Sequence, residues 1–348
     1  MTQSALSHNK PLIGITIGDP SGIGPEITLK AIAEEEVHAV CRSLLIADAD
    51  ELRRQARLLG LQCDYPVIKD FPPGSCEQYD VIIFDIGNIT TAPKWGELSS
   101  QSGRAALDFI EAGTHLCLSG KLDAITTAPI NKEAIRLAGS IFSGHTDMLA
   151  SLCGVEDYLM AFYANNLCVV LLTVHLSLTD AIKSIDKEMV RRALVLADRE
   201  LRRFGLEHPR IAVAGLNPHA GENGLFGTEE MDEISPAIDE CRNNLSLNVR
   251  GPFPADTVFV RAARGEFDAV LACYHDQGLI AVKCLAFGEA VNVTLGLPII
   301  RTSVDHGTAF DIAGRGVADH SSLVEAIKLA ARLAGAERKQ KQEPQRDQ

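Results

Sequence analysis

Three of the ten histidines follow apolar runs that have the composition of buried strands. His175 comes after CVVLLTV, His219 after IAVAGLNP and His275 after AVLACY. Open α/β sheets bind ligands at the carboxyl ends of their parallel strands, and strands far apart in sequence can end at one point. A single histidine in such a place is more often an ordinary core or surface residue. Three at equivalent places favour a catalytic site in which neutral imidazoles bind a divalent metal.

Two cations and a short motif offer a site for an anionic substrate. Lys283 lies within the apolar stretch LIAVKCLAF and Arg301 directly follows LGLPII, which are unusual settings for surface cations. Arginine holds phosphate or carboxylate through paired hydrogen bonds, whereas lysine acts as a point charge. In SGHTDM, from Ser143 to Met148, Gly, His and Thr precede a helical stretch and can present donors at a helix N-terminus. Thr146 taken alone serves equally well as a simple helix cap.

Two glycine-rich stretches are candidates for ligand contacts. GDPSGIGPEI, from Gly18 to Ile27, follows the first predicted strand, but Ile27 stands where the dinucleotide-binding fingerprint requires its third glycine. Pro25 and Glu26 instead suit the first turn of a helix. DHGTAFDIAGRG, from Asp305 to Gly316, follows another strand-like run and is equally compatible with a ligand loop and with a plain loop and helix cap.

Short apolar runs alternate with amphipathic stretches along the chain, which predicts an α/β fold with a largely parallel sheet. Near-continuous Val, Ile and Leu predict strands that are buried on both faces. The predicted strands are Leu12–Ile17, Ser43–Ala47, Val81–Phe84, Ala124–Thr127, Leu159–Tyr163, Cys168–Val174, Ile211–Leu216, Ala269–Tyr274 and Ala290–Thr294. One predicted helix covers Met189 to Phe204 after an N-cap at Asp186, and another begins near Leu323 and ends at Gly335.

The composition excludes several classes of protein. The chain has 348 residues, is 46% hydrophobic and carries a net charge of −13, which disfavours nucleic acid as a partner. The longest apolar run, Leu167 to Leu172, is far too short to span a membrane. Nine scattered cysteines without a CxxC pair indicate reduced, mostly buried thiols. We therefore expect a soluble, cytoplasmic enzyme with two subdomains.

Taken in order, these motifs resemble the 4-hydroxythreonine-4-phosphate dehydrogenase family of vitamin B6 (pyridoxine) biosynthesis. The matching strings are GDPSGIGPEI, TAPINK, GHTD, TVHLSL, GLNPHAGE, PADTVF, YHDQG, NVTLGLP and RTSVDHGTAFDIAGRG. The resemblance implies an isocitrate/isopropylmalate-dehydrogenase-like fold of two α/β subdomains with an active-site cleft between them. We expect a cofactor-side subdomain of residues 1–130 and 296–336, a metal- and dimer-side subdomain of residues 131–295, and a disordered tail of residues 337–348.

The resemblance also implies roles for individual residues. One divalent cation per site, zinc, magnesium or cobalt, would be bound by His175, His219 and His275. The phosphorylated hydroxy-acid substrate would be held by His145, Thr146, Lys283, Asn292 and Arg301. Proton transfer would involve Asp256 and Asp276. The adenosine end of NAD or NADP would face His306, Gly307, Thr308, Ala309 and Asp311. The enzyme would be a homodimer whose active sites are shared between the subunits.

The implied reaction oxidises the secondary alcohol of 4-(phosphooxy)-L-threonine and then decarboxylates it to 3-amino-2-oxopropyl phosphate. A metal at the hydroxyl oxygen lowers its pKa, hydride passes to the nicotinamide, and the new ketone accepts the electrons released as carbon dioxide leaves. Asp147 and Met148 depart from the glutamate and bulky apolar residue expected after GHT. A paralogue that oxidises 4-phospho-D-threonate, phosphoerythronate or a cyclic diol dicarboxylate therefore stays open. A phosphoacyl transferase or a non-enzymatic ligand-binding protein is a more distant alternative.

Overall fold

The computed structural model describes residues 10–71, 78–286 and 288–342. Strands and helices alternate along the chain, which confirms the predicted α/β fold class. The strands are β1 (Leu12–Thr16), β2 (Arg42–Ala47), β3 (Val67–Ile68), β4 (Val81–Asp85), β5 (Ala124–Thr127), β6 (Leu159–Ala164), β7 (Leu167–Leu171), β8 (Ile211–Ala214), β9 (Val249–Phe253), β10 (Ala269–Ala272), β11 (Val291–Leu295) and β12 (Arg301–Val304).

The helices lie between these strands in the sequence or follow the last one. They are α1 (Gly24–Ala31), α2 (Glu35–Val40), α3 (Ala49–Leu59), α4 (Ser100–Leu118), α5 (Lys132–Leu137), α6 (His145–Cys153), α7 (Leu178–Ser184), α8 (Lys187–Arg203), α9 (Ser235–Asn243), α10 (Ala255–Ala263), α11 (His275–Leu285) and α12 (Ser321–Gln342). A tight helical segment covers Pro218–Gly224, and a π-helical turn covers Glu230–Ile234. Among the helices that the structure describes, none is both long and apolar enough to cross a membrane.

The predicted strands are all present, with their ends shifted slightly, whereas β3, β9 and β12 were not predicted. β12 reads RTSV and β9 contains a Gly–Pro pair, so neither has the run of branched apolar residues that marks a buried strand. The predicted N-cap of α8 is confirmed, because the Asp186 carboxylate accepts a hydrogen bond from the Met189 amide at 2.7 Å.

The prediction that the last helix ends at Gly335 is wrong, because α12 continues through this residue to Gln342. Glycine in a helix interior costs only about 1 kcal/mol relative to alanine, so one glycine does not have to end a helix. Apolar side chains that precede Gly335, such as Leu329 and Leu333, are buried and stabilise the helix up to this point. The predicted disordered tail thus begins as helix, and residues 343–348 lie outside the described residues.

The chain divides into two compact units. Unit one contains residues 1–156 and 297–338, and unit two contains residues 157–296 and 339–348. The strands of unit one follow the order β3-β4-β2-β1-β5-β12, and every neighbouring pair is parallel. The carboxyl ends of β1, β5 and β12 are therefore neighbours at one edge. The glycine turn after β1, the TAPINK loop and the loop after Val304 all begin at that edge.

The strands of unit two follow the order β11-β6-β7-β10-β8-β9, in which β6 is antiparallel to both of its neighbours. The pairs β7–β10, β10–β8 and β8–β9 are parallel, so the prediction of a largely parallel sheet is confirmed. Helices α10 and α11 pack on these strands through Val258, Leu279 and Val282, which share one buried apolar cluster with Val169 and Val270. Every residue of β7, β8 and β10 is buried, as expected for strands covered on both faces.

Candidate active site

His175 and His275 lie beside each other, where the neighbouring parallel strands β7 and β10 end. Their ring centroids are 6.1 Å apart. The Thr173 hydroxyl donates to the Cys273 carbonyl at 2.9 Å, which ties the two strand ends together. His275 Nδ1 lies 2.7 Å from a carboxylate oxygen of Asp276. A histidine whose Nδ1–H is donated to a carboxylate presents Nε2 as its ligand atom, a common arrangement in metal sites.

His219 follows β8, the other neighbour of β10. The Gln277 side chain ties these two strand ends, because it accepts from the Cys273 amide and donates to the Gly215 carbonyl, both at 2.7 Å. Within the described part of one chain, however, no group of three or more His, Cys, Asp or Glu side chains is arranged to hold a metal ion. The structure therefore brings two of the predicted metal ligands together, and the complete set stays a prediction.

The other predicted residues of unit two lie on three elements. Asp256 is exposed in the first turn of α10, and Lys283 is exposed on α11, the helix that begins at His275. Asn292 is half-buried in β11, and its Oδ1 is buried without a hydrogen-bond partner among the described residues. A buried carbonyl oxygen without a partner is an incomplete polar contact that a ligand can satisfy.

Arg301, Thr127 and His145 are neighbours in unit one. The Arg301 side chain is only 2% exposed, and its Nη2 and Nε donate to the Thr127 hydroxyl at 2.9 and 3.2 Å. Burial lowers the pKa of Arg301 to about 9, which leaves the guanidinium charged at neutral pH. Burial and, secondly, the charge on Arg301 lower the pKa of His145 well below its ordinary value, so this imidazole is neutral.

His145 Nε2 is buried and has no hydrogen-bond partner among the described residues. A neutral imidazole with an unsatisfied nitrogen and a buried guanidinium together suit an anionic group that also carries a hydrogen-bonding oxygen. The predicted substrate residues His145 and Arg301 are thus electrostatic neighbours. Thr146 is half-buried in the first turn of α6, directly after His145.

The start of α6 is fixed by Asp147 rather than by Thr146. The Asp147 carboxylate accepts from the Gly144 amide at 3.0 Å and from the Ser143 amide, so it caps its own helix. The Lys132 Cε lies 3.8 Å from the place where a Cβ on Gly144 would stand. Thr127 and Lys132 were not predicted individually as site residues. The available signal was TAPINK, which contains both and begins at the last residue of the predicted strand Ala124–Thr127.

The two glycine-rich stretches of the sequence pack against each other in unit one. The Ile23 amide donates to the Thr308 carbonyl at 3.0 Å, and a Cβ on Gly22 would lie only 2.8 Å from the Thr308 Cβ. Glycine is therefore required at position 22 for this approach. Thr308 is buried and Ala309 is half-buried, whereas the exposed residues of the predicted cofactor loop are His306, Gly307 and Asp311. The backbone of Ala309 has a left-handed φ of 41°.

Asp19 in the same glycine turn is a buried carboxylate that was not among the predicted site residues. Its exposure is 0%, and Oδ1 accepts from the Ser21 amide at 2.8 Å. Oδ2 is buried without a hydrogen-bond partner among the described residues. Burial raises the pKa of Asp19 to about 6. Glu26, also buried, has a structural role because its carboxylate accepts from the Ala318 amide at 2.8 Å and binds Lys30 at 2.7 Å.

The chain forms two α/β units, with histidines at the ends of parallel strands and a buried arginine beside a histidine, which is an arrangement typical of α/β enzymes. The chain belongs to the family described as pyridoxal phosphate biosynthetic protein PdxA, whose family model matches residues 39–330. This match confirms the predicted family.

Named relatives agree with this membership. The chain is 46% identical over 330 residues to a D-threonate 4-phosphate dehydrogenase from Cupriavidus necator, covering 94% of this chain and 99% of that protein. It is also 46% identical over 327 residues to a 4-hydroxythreonine-4-phosphate dehydrogenase from Desulfosudis oleivorans, covering 92% and 95%. A solved structure of a 4-hydroxythreonine-4-phosphate dehydrogenase from Burkholderia phymatum has 45% identity and a TM-score of 0.84, covering 93% and 98%. These names confirm the prediction of a dehydrogenase.

Proposed function

We propose that the chain catalyses the NAD(P)-linked oxidation and decarboxylation of 4-(phosphooxy)-L-threonine to 3-amino-2-oxopropyl phosphate. The observation that carries this proposal is the pairing of His175 and His275, 6.1 Å apart at the ends of two parallel strands, in a member of the PdxA family. A relative of this name at 46% identity supports the substrate. The reaction belongs to the biosynthesis of pyridoxal phosphate that the family description names.

The donor set fits a borderline divalent cation such as zinc or cobalt better than magnesium, which prefers oxygen ligands. Neutral imidazoles suit borderline metals, and the side-by-side rings of His175 and His275 can present two nitrogens to one ion. We assign His219 as the third ligand. A cation held there supplies Lewis-acid polarisation of the oxygen that changes from alcohol to ketone. Asp276 keeps the His275 ring oriented through its hydrogen bond at 2.7 Å.

Substrate binding is assigned to residues that can hold an anion and its polar groups. Arg301 supplies a charged, planar donor set for the phosphate or carboxylate, and Thr127 holds its guanidinium in position. Neutral His145 and Thr146 supply further hydrogen bonds at the start of α6. The remaining assigned substrate residues are Lys283 and Asn292. Asp256 and Asp276 are assigned to proton transfer, since both are exposed carboxylates in the first turns of helices.

The loop after β12 is assigned to the nicotinamide cofactor. NAD or NADP accepts the hydride when bound. Its adenosine end would contact His306, Gly307, Thr308, Ala309 and Asp311. Packing of Thr308 against Gly22 and Ile23 supports this assignment, because it gives the loop a fixed base while leaving His306 and Asp311 exposed to a ligand.

We further propose a cytoplasmic homodimer with shared active sites. Large apolar side chains are exposed on the elements that carry the histidines: Leu176 follows His175, and Ile280 and Leu285 lie on α11. Exposed apolar side chains of this kind favour a protein interface. The cysteines that the structure describes form no disulfide, which suits a reducing compartment.

D-threonate 4-phosphate is a second candidate substrate. It is supported by the relative of that name at 46% identity and by Asp147, which replaces the glutamate expected in the biosynthetic enzymes. The two substrates differ at the carbon beside the carboxylate, which carries an amino group in one and a hydroxyl group in the other.

Purified protein should be assayed with both phosphorylated substrates, with NAD and NADP in turn, by following the absorbance of the reduced cofactor. Product analysis should detect carbon dioxide release. The proposal requires activity that is lost on chelation and restored by zinc, cobalt or magnesium. Faster turnover of D-threonate 4-phosphate would favour the second candidate, and no reduction of either cofactor with any substrate would contradict both.

A further inference from the structure

The segment that carries His219 has an unusual backbone. Six consecutive residues have positive φ angles: His219 (54°), Ala220 (51°), Gly221 (79°), Glu222 (41°), Asn223 (57°) and Gly224 (89°). Only two of the six are glycines, and L-residues carry a steric penalty in this conformation. Such a turn persists where the surrounding structure over-determines it, and such places cluster at functional sites. We name residues 218–224 the left-handed turn.

Glu230 lies against the left-handed turn and binds Asn217, the residue directly before it. Its carboxylate is almost completely buried, with a residue exposure of 2%. Oε1 accepts from the Asn217 amide at 2.6 Å, and Oε2 accepts from the Asn217 side-chain amide at 2.9 Å. A Cβ on Gly221 would lie only 2.7 Å from Oε2, so the carboxylate fills the space beside the turn. A buried carboxylate is costly unless hydrogen bonds compensate it, and here Asn217 supplies them.

Asn217 is hydrogen-bonded both to Glu230 and to Ala220, the residue that directly follows His219. The Asn217 amide is held by Glu230, while its carbonyl accepts from the Ala220 amide at 3.1 Å. The Asn217 side chain also donates to Glu229 at 2.7 Å. His219 therefore lies between two residues whose backbone positions depend on one buried carboxylate. The exposed imidazole itself makes no hydrogen bond to Glu230 that the structure describes, so the influence passes through the backbone.

We propose that Glu230 is a positioning residue that fixes Asn217 and, through the left-handed turn, the direction of the His219 imidazole. The inference rests on the proposed function, in which His219 is a ligand of the divalent cation. It holds whether the other two ligands come from the same chain or from a second copy. Residues that orient metal ligands typically change metal affinity by about 10- to 100-fold when they are replaced.

The test is titration of the full-length, metal-free protein with Co²⁺, followed by calorimetry and by the visible absorption of the bound ion. Glu230→Ala should weaken Co²⁺ binding by about 10- to 100-fold and change the absorption spectrum. Glu230→Gln keeps the size and one acceptor but turns an amino group toward the Asn217 side-chain amide, so it should fold and show an intermediate loss. Asp232→Asn, at an exposed position of the same π-helical turn, is the matched control and should bind as wild type.

A purely structural Glu230 would lower the melting temperature but leave the Co²⁺ dissociation constant and spectrum of the folded protein unchanged. Wild-type binding and spectrum in folded Glu230→Gln and Glu230→Ala would therefore overturn the positioning role and leave the proposed function intact. Failure of the wild-type protein to bind Co²⁺, zinc or magnesium would overturn the metal assignment itself, and the positioning role with it.

Discussion

His175 and His275 are close enough within one chain to serve the same metal ion, since their ring centroids are 6.1 Å apart. If the proposed dimer shares its sites, His219 is then the ligand that the second subunit contributes. We therefore predict that mixed dimers of two inactive variants recover activity only for certain pairs. His175→Ala, His219→Ala and His275→Ala should each be inactive alone, because two imidazoles seldom hold a catalytic ion tightly.

The expected recovery follows from counting sites. In a mixture of His175→Ala and His219→Ala chains, about half of the randomly formed dimers contain one chain of each kind. One site of such a dimer carries both substitutions, and the other has its full set of histidines. The mixture should therefore show about one quarter of the wild-type activity per site. In a mixture of His175→Ala and His275→Ala, every site lacks a ligand, so activity should stay near zero.

The assay is cofactor reduction after the variants are unfolded and refolded together, with the heterodimer fraction measured by native mass spectrometry. The second mixture is the matched control for refolding. Equal recovery in both mixtures would refute the same-chain pairing of His175 and His275. No recovery in the first mixture, with heterodimers present, would show that all three ligands come from one subunit.

Two further predictions concern the buried charges of unit one. Arg301→Lys should lower kcat/KM by about 30- to 900-fold, which corresponds to a loss of about 2–4 kcal/mol of transition-state stabilisation, because an ammonium cannot form paired bonds to the substrate. Wild-type kinetics in Arg301→Ala would show that this residue does not bind the substrate. Asp19 has its folded pKa raised from 3.8 to about 6, so the folded state binds its proton more tightly and wild-type stability falls as pH rises through this range. The free energy of unfolding of Asp19→Asn should therefore exceed that of the wild type by up to about 3 kcal/mol near pH 7, but not below pH 3.8. Urea unfolding at both pH values measures this difference. A difference that does not depend on pH would contradict the raised pKa of Asp19.

The predictable parts of this fold are those with a local signature. β7, β8 and β10 are buried on both faces, so their sequences are almost continuously apolar and can be recognised without knowledge of their neighbours. The polar residue that follows such a run is then also visible. This is why the sequence could predict that His175 and His275 stand at equivalent strand ends before their 6.1 Å separation was known.

The parts that could not be predicted depend on contacts between distant residues. Thr127 becomes the hydrogen-bond partner of Arg301 only because β12 pairs with β5. The polar sequence of β12 does not predict a strand. The left-handed turn after β8 is likewise not predictable from GLNPHAGE, since four of its six residues with positive φ are not glycine. Glu230, which holds this turn, lies in an acidic stretch that reads as an ordinary solvated surface.

We propose that Asp147 influences the substrate preference through the cap of α6 and not by contact with the substrate. Its carboxylate is occupied by the Gly144 and Ser143 amides, so it sets the angle at which α6 begins. His145 and Thr146 are the first residues of that helix. A glutamate at position 147 has one more methylene group and would cap the same amides from a different distance, which would move both side chains relative to Arg301. A preference between an amino and a hydroxyl group beside the substrate carboxylate can therefore arise from the placement of His145 and Thr146, with Asp147 acting only through the helix cap.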